Sequence, residues 1–171
     1  MNKYMYDSSY MGIVQDILNN KDFMRLNEIP HHSTSRFYHS VKVSYYSYRI
    51  SKFLKLKHDD VARAGLLHDF YYDLVNEQET IEEKVKLFTY KHPNDAVKNS
   101  RIFGITKVQE DIIKGHMFPL DYKYPKSLEG LIVNLVDKCV SIKEFGVKFG
   151  KEFASGTNFI ALFLVNYITR L

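Results

Sequence analysis

Along this chain, six side chains of metal-binding type are spaced at intervals that suit a helical fold: His39, the pair His68 and Asp69, His92, His116 and Asp137. The gaps from His39 to His68, Asp69 to His92, His92 to His116 and His116 to Asp137 are 29, 23, 24 and 21 residues. Each gap is the length of a helix plus a connection. Successive helices or helix ends can therefore deliver these groups to one point. Neutral imidazole and carboxylate suit divalent transition ions, and six of them can hold one or two ions. The dipeptide His68-Asp69 alone would carry little weight. The ordered series carries much more.

Cap signals and 3.6-residue spacing recur along the chain, and strand-like alternation is nearly absent. Asp7-Ser8-Ser9 caps a first predicted helix to about residue 20. Ser33-Thr34-Ser35 caps a longer one to about residue 57. In that helix Val43, Tyr46, Ile50 and Phe53 form an apolar row. Extending it back by four residues reaches His39, which should then face the core. Asp59 should cap the next helix, to about residue 72, with small Ala62, Ala64 and Gly65 allowing close approach.

Thr80 and Glu83 make a capping box for a helix to about residue 91, where Pro93 interrupts. A short helix over 94–103 closes at Gly104, and Thr106 with Gln109 opens another that ends near His116. Ser127 caps the next, whose Val133, Val136 and Val140 form a stripe with Asp137 inside it. The chain after Gly156 reads as a final helix. The expected fold class is an all-α bundle, with 171 residues forming one domain that can bury a core of its own.

Composition narrows the function. The single cysteine, Cys139, excludes an internal disulfide and a cysteine-rich zinc site, and fits a reducing cytoplasm. The first residues, MNKYMYDSSYMG, hold no apolar run of signal-peptide length, and residues 159–165 fall short of the roughly 20 needed to span a bilayer. A cytoplasmic protein without a membrane partner is the expectation. The net charge of +4 is spread through the chain, interleaved with Asp and Glu. That argues against sequence-specific nucleic-acid binding, which clusters basic residues on one face, and suits small anionic substrates.

A single histidine on an apolar face is more often a core residue than a ligand. Asp137 is different. A carboxylate inside a valine stripe, buried and unpaired, would cost several kcal/mol and needs a cation. Asp69, after the apolar Ala64-Gly65-Leu66-Leu67, poses the same demand. Two such carboxylates and several inward imidazoles compensate one another best through metal.

The segments S-R-F-Y-H39-S-V-K-V, A-G-L-L-H68-D69-F, H92-P, I-I-K-G-H116 and N-L-V-D137-K resemble the HD superfamily of metal-dependent phosphohydrolases. The resemblance covers about residues 31–145 and keeps the family's order of motifs. It implies a single HD domain over 1–171, a helical bundle with additions at both ends. It is similar to small bacterial HD-domain proteins, and it shares its six-ligand pattern with symmetrical bis(nucleosyl)-tetraphosphatases and HD-GYP cyclic-dinucleotide phosphodiesterases. In the family, the positions matching His39, His68, Asp69 and Asp137 hold one ion. His92 and His116 imply a second, with Asp69 bridging.

The implied chemistry is water activated at one or two divalent ions for attack on a nucleotide or other small phosphate ester. Mn²⁺ or Fe²⁺/Fe³⁺ suits the mixed nitrogen and oxygen set best, and Mg²⁺, Zn²⁺, Ni²⁺ or Co²⁺ are compatible with it. Asp69 and His68 are the expected catalytic residues, together with Arg36, one turn before His39, and Lys138, which follows Asp137. Both cations are expected to face phosphate. His31 and His32 could line the entrance.

Where many phosphatase members carry a lysine three residues after the HD aspartate, this chain has Tyr72, followed by Asp73. It contains no G-Y-P. These departures count against transferring the tetraphosphatase and HD-GYP substrates, though not against the metal site. Phe70-Tyr71-Tyr72 and Met117-Phe118-Pro119 could wall a pocket or serve as core. Two alternatives keep the same ligands: an HD-fold di-iron oxygenase, and a non-catalytic metal-binding sensor or scaffold. The sequence does not fix the oligomeric state.

Overall fold

The computed structural model describes residues 3–31, 34–72, 80 and 90–153. A 3-10 turn at Lys3–Tyr6 leads into α1 (Ser8–Leu18), the short α2 (Lys21–Met24) and a second 3-10 turn at Arg25–Glu28. A two-residue ribbon follows, β1 (Pro30–His31) antiparallel to β2 (Thr34–Ser35), with Pro30 opposite Ser35. Then come α3 (Arg36–Phe53), α4 (His58–Leu67), α5 (His92–Ser100), a 3-10 turn at Arg101–Phe103, α6 (Lys107–Gly115) and α7 (Leu128–Phe153). Among the described residues the ribbon is the only sheet, and the all-α expectation is met. No described helix is long and apolar enough to cross a membrane.

The helix starts follow the cap chemistry. Asp7 accepts from the Tyr10 N–H at 3.1 Å, Ser35 from Tyr38 at 3.4 Å and Ser127 from Gly130 at 3.2 Å. Thr106 and Gln109 complete their reciprocal box, with both bonds at 3.2 Å. The ends follow it less well. α3 stops at Phe53, short of residue 57, because Lys55 takes a left-handed φ of 57°. The Lys55 and Leu56 N–H groups then bond back to Lys52 and Ser51, at 3.1 and 2.9 Å. This is the Schellman arrangement, which glycine usually announces and lysine conceals.

α4 begins at His58, with Asp59 inside its first turn and not at the cap, and ends at Leu67, well before residue 72. α5 begins at His92, one residue before Pro93, whose missing N–H costs nothing in a first turn. Glu83 of the expected capping box with the helix body over 81–89, and the helix expected after Gly156, lie outside the described residues.

α4 is the centre of the bundle, packed against α1, α3, α5, α6 and α7. The apolar row expected on α3 is not its core face: Tyr46, Ile50 and Phe53 are exposed. Ser40, Ser44, Ser47 and Ser51 are buried in their place, alongside Val41, Val43 and Tyr48. These short side chains let α4 approach closely. A Cβ on Gly65 would sit 3.0 Å from the Ser44 Cα. At the same junction the Ser44 hydroxyl accepts from Tyr10 at 2.8 Å and donates to the Ala62 carbonyl at 2.6 Å.

Because the obstacle is backbone, Gly65→Ala should destabilise the fold by about 1–3 kcal/mol, the range for overpacking a tight core. The midpoint of urea unfolding measures it. An unchanged midpoint would mean that α3 and α4 part at no cost.

Candidate metal centre

His39 projects from the first turns of α3, and Asp137 from the middle of α7. The other four sit at helix ends. His68 caps the C-terminus of α4 and is followed by Asp69, His92 opens α5, and His116 caps the C-terminus of α6. A common local device sets two of them. The His68 Nδ1–H donates to the Gly65 carbonyl at 2.8 Å, and the His116 Nδ1–H to the Ile113 carbonyl at 2.6 Å, each three residues back. Each bond satisfies a carbonyl that its helix end would leave open, and fixes the tautomer so that Nε2 faces the centre.

Two ligand sets result. His39, His68 and Asp137 form one, and Asp69, His92 and His116 the other; within each, the ligand atoms lie within 4.8 Å of one another. In the first, Asp137 Oδ1 is 3.0 Å from His39 Nε2 and 3.5 Å from His68 Nε2. In the second, Asp69 Oδ1 is 3.5 Å from His92 Nε2 and 3.6 Å from His116 Nε2. The other oxygen of Asp69, Oδ2, turns to His68 Nε2 at 3.7 Å. One carboxylate thus faces both sets. All six residues are buried, and Asp137 is the most accessible at 13% side-chain exposure.

The residues fit a metal. His68 Nε2 is buried with no hydrogen-bond partner, although two carboxylates face it. His92 and His116 bring their Nε2 atoms to 3.0 Å from each other, an approach that needs a shared proton or a cation. Burial opposes charge on Asp69, yet the surrounding His68, His92 and His116 hold it well below the usual carboxylate range. Burial likewise opposes charge on Asp137, yet its hydrogen bond with His39 and the nearby His68 and His116 imidazoles hold it well below that range. Burial, reinforced by His68 and His92, pushes His116 down to about 3 and keeps it a neutral lone-pair donor.

His39 behaves oppositely. Burial would lower it, but hydrogen bonds to Asp137 and Glu144 prevail and raise it from 6.5 to about 9. In the metal-free chain it therefore carries two ring protons at neutral pH. Its contribution to stability in that state is complete below about pH 6.5 and is lost as pH rises through about 9. A metal taking Nε2 must displace that proton. Titration calorimetry at pH 7.5 in buffers of different ionisation enthalpy should show about one proton released from His39, with affinity rising as pH climbs towards 9. Uptake without proton release would place the ion elsewhere.

The residues expected around the centre make these contacts. Arg36 is buried, donates from Nη1 to the Tyr71 carbonyl at 2.8 Å and lies 3.9 Å over the Tyr71 ring. Tyr71 in turn packs on the His92 ring, with centroids 4.8 Å apart. The Lys138 ammonium donates to the His116 carbonyl at 3.0 Å, and burial lowers its pKa against the pull of Asp137. Phe70 is core, packed on Phe23 and Phe103, and the Tyr72 hydroxyl donates to the Asp22 carbonyl at 2.7 Å.

His31 does reach the site, its ring 4.4 Å from that of His39; His32 and Asp73 lie outside the described residues. Two residues that sequence reasoning missed stand close by. Glu144 accepts from the His39 Nδ1–H at 2.9 Å. Asn134 Nδ2 shares its hydrogens among the carbonyls of Gly115, His116 and Phe118, at 3.4, 2.7 and 2.7 Å.

The model of the HD domain family matches residues 36–141, more than half of the chain. No curated protein and no solved structure matches it.

Proposed function

This chain belongs to the HD domain family, and on that premise we propose that it is a metal-dependent phosphohydrolase with a dinuclear centre, acting on a nucleotide or another small phosphate ester. One observation carries the proposal: Asp69 presents Oδ1 to His92 and His116 and Oδ2 to His68. A shared carboxylate between two three-ligand sets suits two ions, which lower the pKa of a water and offset the charge of a phosphate when bound.

The chain's own residues do the rest. His39, His68 and Asp137 would hold one ion and Asp69, His92 and His116 the other, with Mn²⁺ or Fe²⁺ matching the mixed donor set. The carbonyl-anchored Nδ1 atoms of His68 and His116 keep Nε2 available as a ligand. Arg36 acts through Tyr71, holding that ring against His92. Lys138 holds the backbone at His116. Both cations thus support ligands, and the ions themselves supply the positive charge that a phosphate meets.

The test is a panel of nucleotides, dinucleotides and simple phosphomonoesters, run with the purified chain after metal analysis. Mn²⁺- or Fe²⁺-dependent release of phosphate or nucleotide, abolished by chelator, is the expected result. Hydrolysis at full rate in the presence of chelator would overturn the reading. Oxygen consumption with a stable mixed-valent iron signal would replace it with the di-iron oxygenase. Metal uptake without turnover of any substrate would favour a sensor or scaffold.

A further inference from the structure

His39 differs from the other histidines in one respect. His68 and His116 sit at helix C-termini, where a carbonyl of the same helix is open to receive Nδ1–H. His39 lies inside α3, whose carbonyls are engaged by the helix's own backbone N–H groups. Its Nδ1 needs an acceptor from another element. α7 supplies one.

Asp137 and Glu144 are seven residues apart, so they share a face of that helix and take the two nitrogens of one imidazole. Asp137 Oδ1 meets Nε2 at 3.0 Å and Glu144 Oε2 meets Nδ1 at 2.9 Å. The second oxygen of Glu144, Oε1, is held by the Lys42 ammonium at 2.8 Å. Glu144 is itself buried, at 3% exposure, and Lys42 lies on the same helix as His39.

We propose that Glu144 is a positioning residue for the metal centre: it holds the His39 Nδ1–H so that Nε2 is the nitrogen presented to the ion beside His68 and Asp137, while Lys42 fixes the carboxylate that does so. The inference rests on the metal-centre reading above. His31, His39 and Glu144 could also be taken as a separate ligand cluster. A metal there would require His39 to bind through both nitrogens as an imidazolate. The 2.9 Å contact is instead the length of a charge-assisted hydrogen bond.

The proposal separates Glu144 from a residue that merely packs. Metal titration of the full chain against a chromophoric chelator, with Mn²⁺ and Zn²⁺, should resolve two classes of ion. Glu144→Ala should weaken one class about 10- to 100-fold, the usual effect of losing a partner that orients a ligand, and leave the class bound by Asp69, His92 and His116 nearly unchanged. Glu144→Gln, whose Oε1 still accepts from Nδ1–H, should recover most of that affinity.

Equal affinity in the wild type and Glu144→Ala would overturn the assignment to Glu144 while leaving the metal reading intact. A wild type that takes up no ion would overturn the metal reading itself. Should Glu144→Ala fail to fold, the wild type still decides. In the Zn²⁺-loaded chain, histidine ¹⁵N correlation spectra should show His39 protonated at Nδ1 and metal-bound at Nε2; the reverse tautomer would overturn the proposal.

Discussion

Asp69→Asn should strip both ions from the chain and reduce hydrolysis by about 10³-fold or more, since metal assistance of several kcal/mol converts at about 1.36 kcal/mol per factor of ten. The replacement keeps the shape of the side chain and removes its charge. Among the described residues Asp69 is the one carboxylate in the set with His92 and His116, and its other oxygen faces His68 in the first set. In the proposed dinuclear centre both ions would therefore lose an anionic ligand in one substitution, and the charge that would offset their mutual repulsion would go with it. Elemental analysis with single-substrate kinetics measures both effects. His116→Ala is the contrast: it touches one set, and should cost about half of the metal while His39, His68 and Asp137 keep theirs. Full metal content in Asp69→Asn would show that the carboxylate does not bridge.

Removing the ions from the wild type should lower its melting temperature by roughly 8–16 °C for each ion lost and abolish turnover. The range follows from two general relations. An ion present at a thousand times its Kd adds about 4.1 kcal/mol. Each kcal/mol moves the midpoint of a domain of this size by about 2–4 °C. The structural cause is local. Without a cation, Asp69 and Asp137 are buried among imidazoles, and His39 must keep a second proton to compensate them. Differential scanning fluorimetry before and after dialysis against chelator, followed by Mn²⁺ addition, gives the size and the reversibility of the shift. An unchanged midpoint would mean that the fold does not depend on an occupied centre.

The six candidate ligands were legible in the sequence because each is a residue type with few reasons to be buried, repeated at helix-length intervals. The local rules that place them were legible only in part. Thr106 and Gln109 announce α6 through side chains that act within one turn, and the structure has both bonds. His39 does face the core, but not for the reason that the apolar row suggested: Tyr46, Ile50 and Phe53 are exposed. The face of α3 toward α4 is largely serine, selected for size, and hydropathy does not register size.

The end of α3 was hidden because a lysine holds the left-handed position usually given to glycine. Arg36 shares a helix with His39, which suggested a phosphate partner. Arg36 also bonds Tyr71, 35 residues away, and that pairing is a tertiary fact with no local signature. Glu144 did leave a trace in its seven-residue spacing from Asp137. Surface glutamates on helices have such spacings routinely, so only packing against His39 distinguishes this one.

Asn134 has a consequence for how this chain can vary. Among the described residues its amide nitrogen donates to carbonyl oxygens alone, those of Gly115, His116 and Phe118, and so links the turn that carries His116 to the helix that carries Asp137. A single-base change converts its codon to one for aspartate, and the two side chains are nearly identical in outline. In that change the donor becomes an acceptor, and a carboxylate is set against three carbonyls, its charge offset only in part by the Lys138 ammonium bonded to the same His116 carbonyl. Substitution tables that grade by shape rank this exchange among the mildest. At this position it reverses the polarity of a buried contact, so drift here is open to far fewer residues than the size of the side chain suggests.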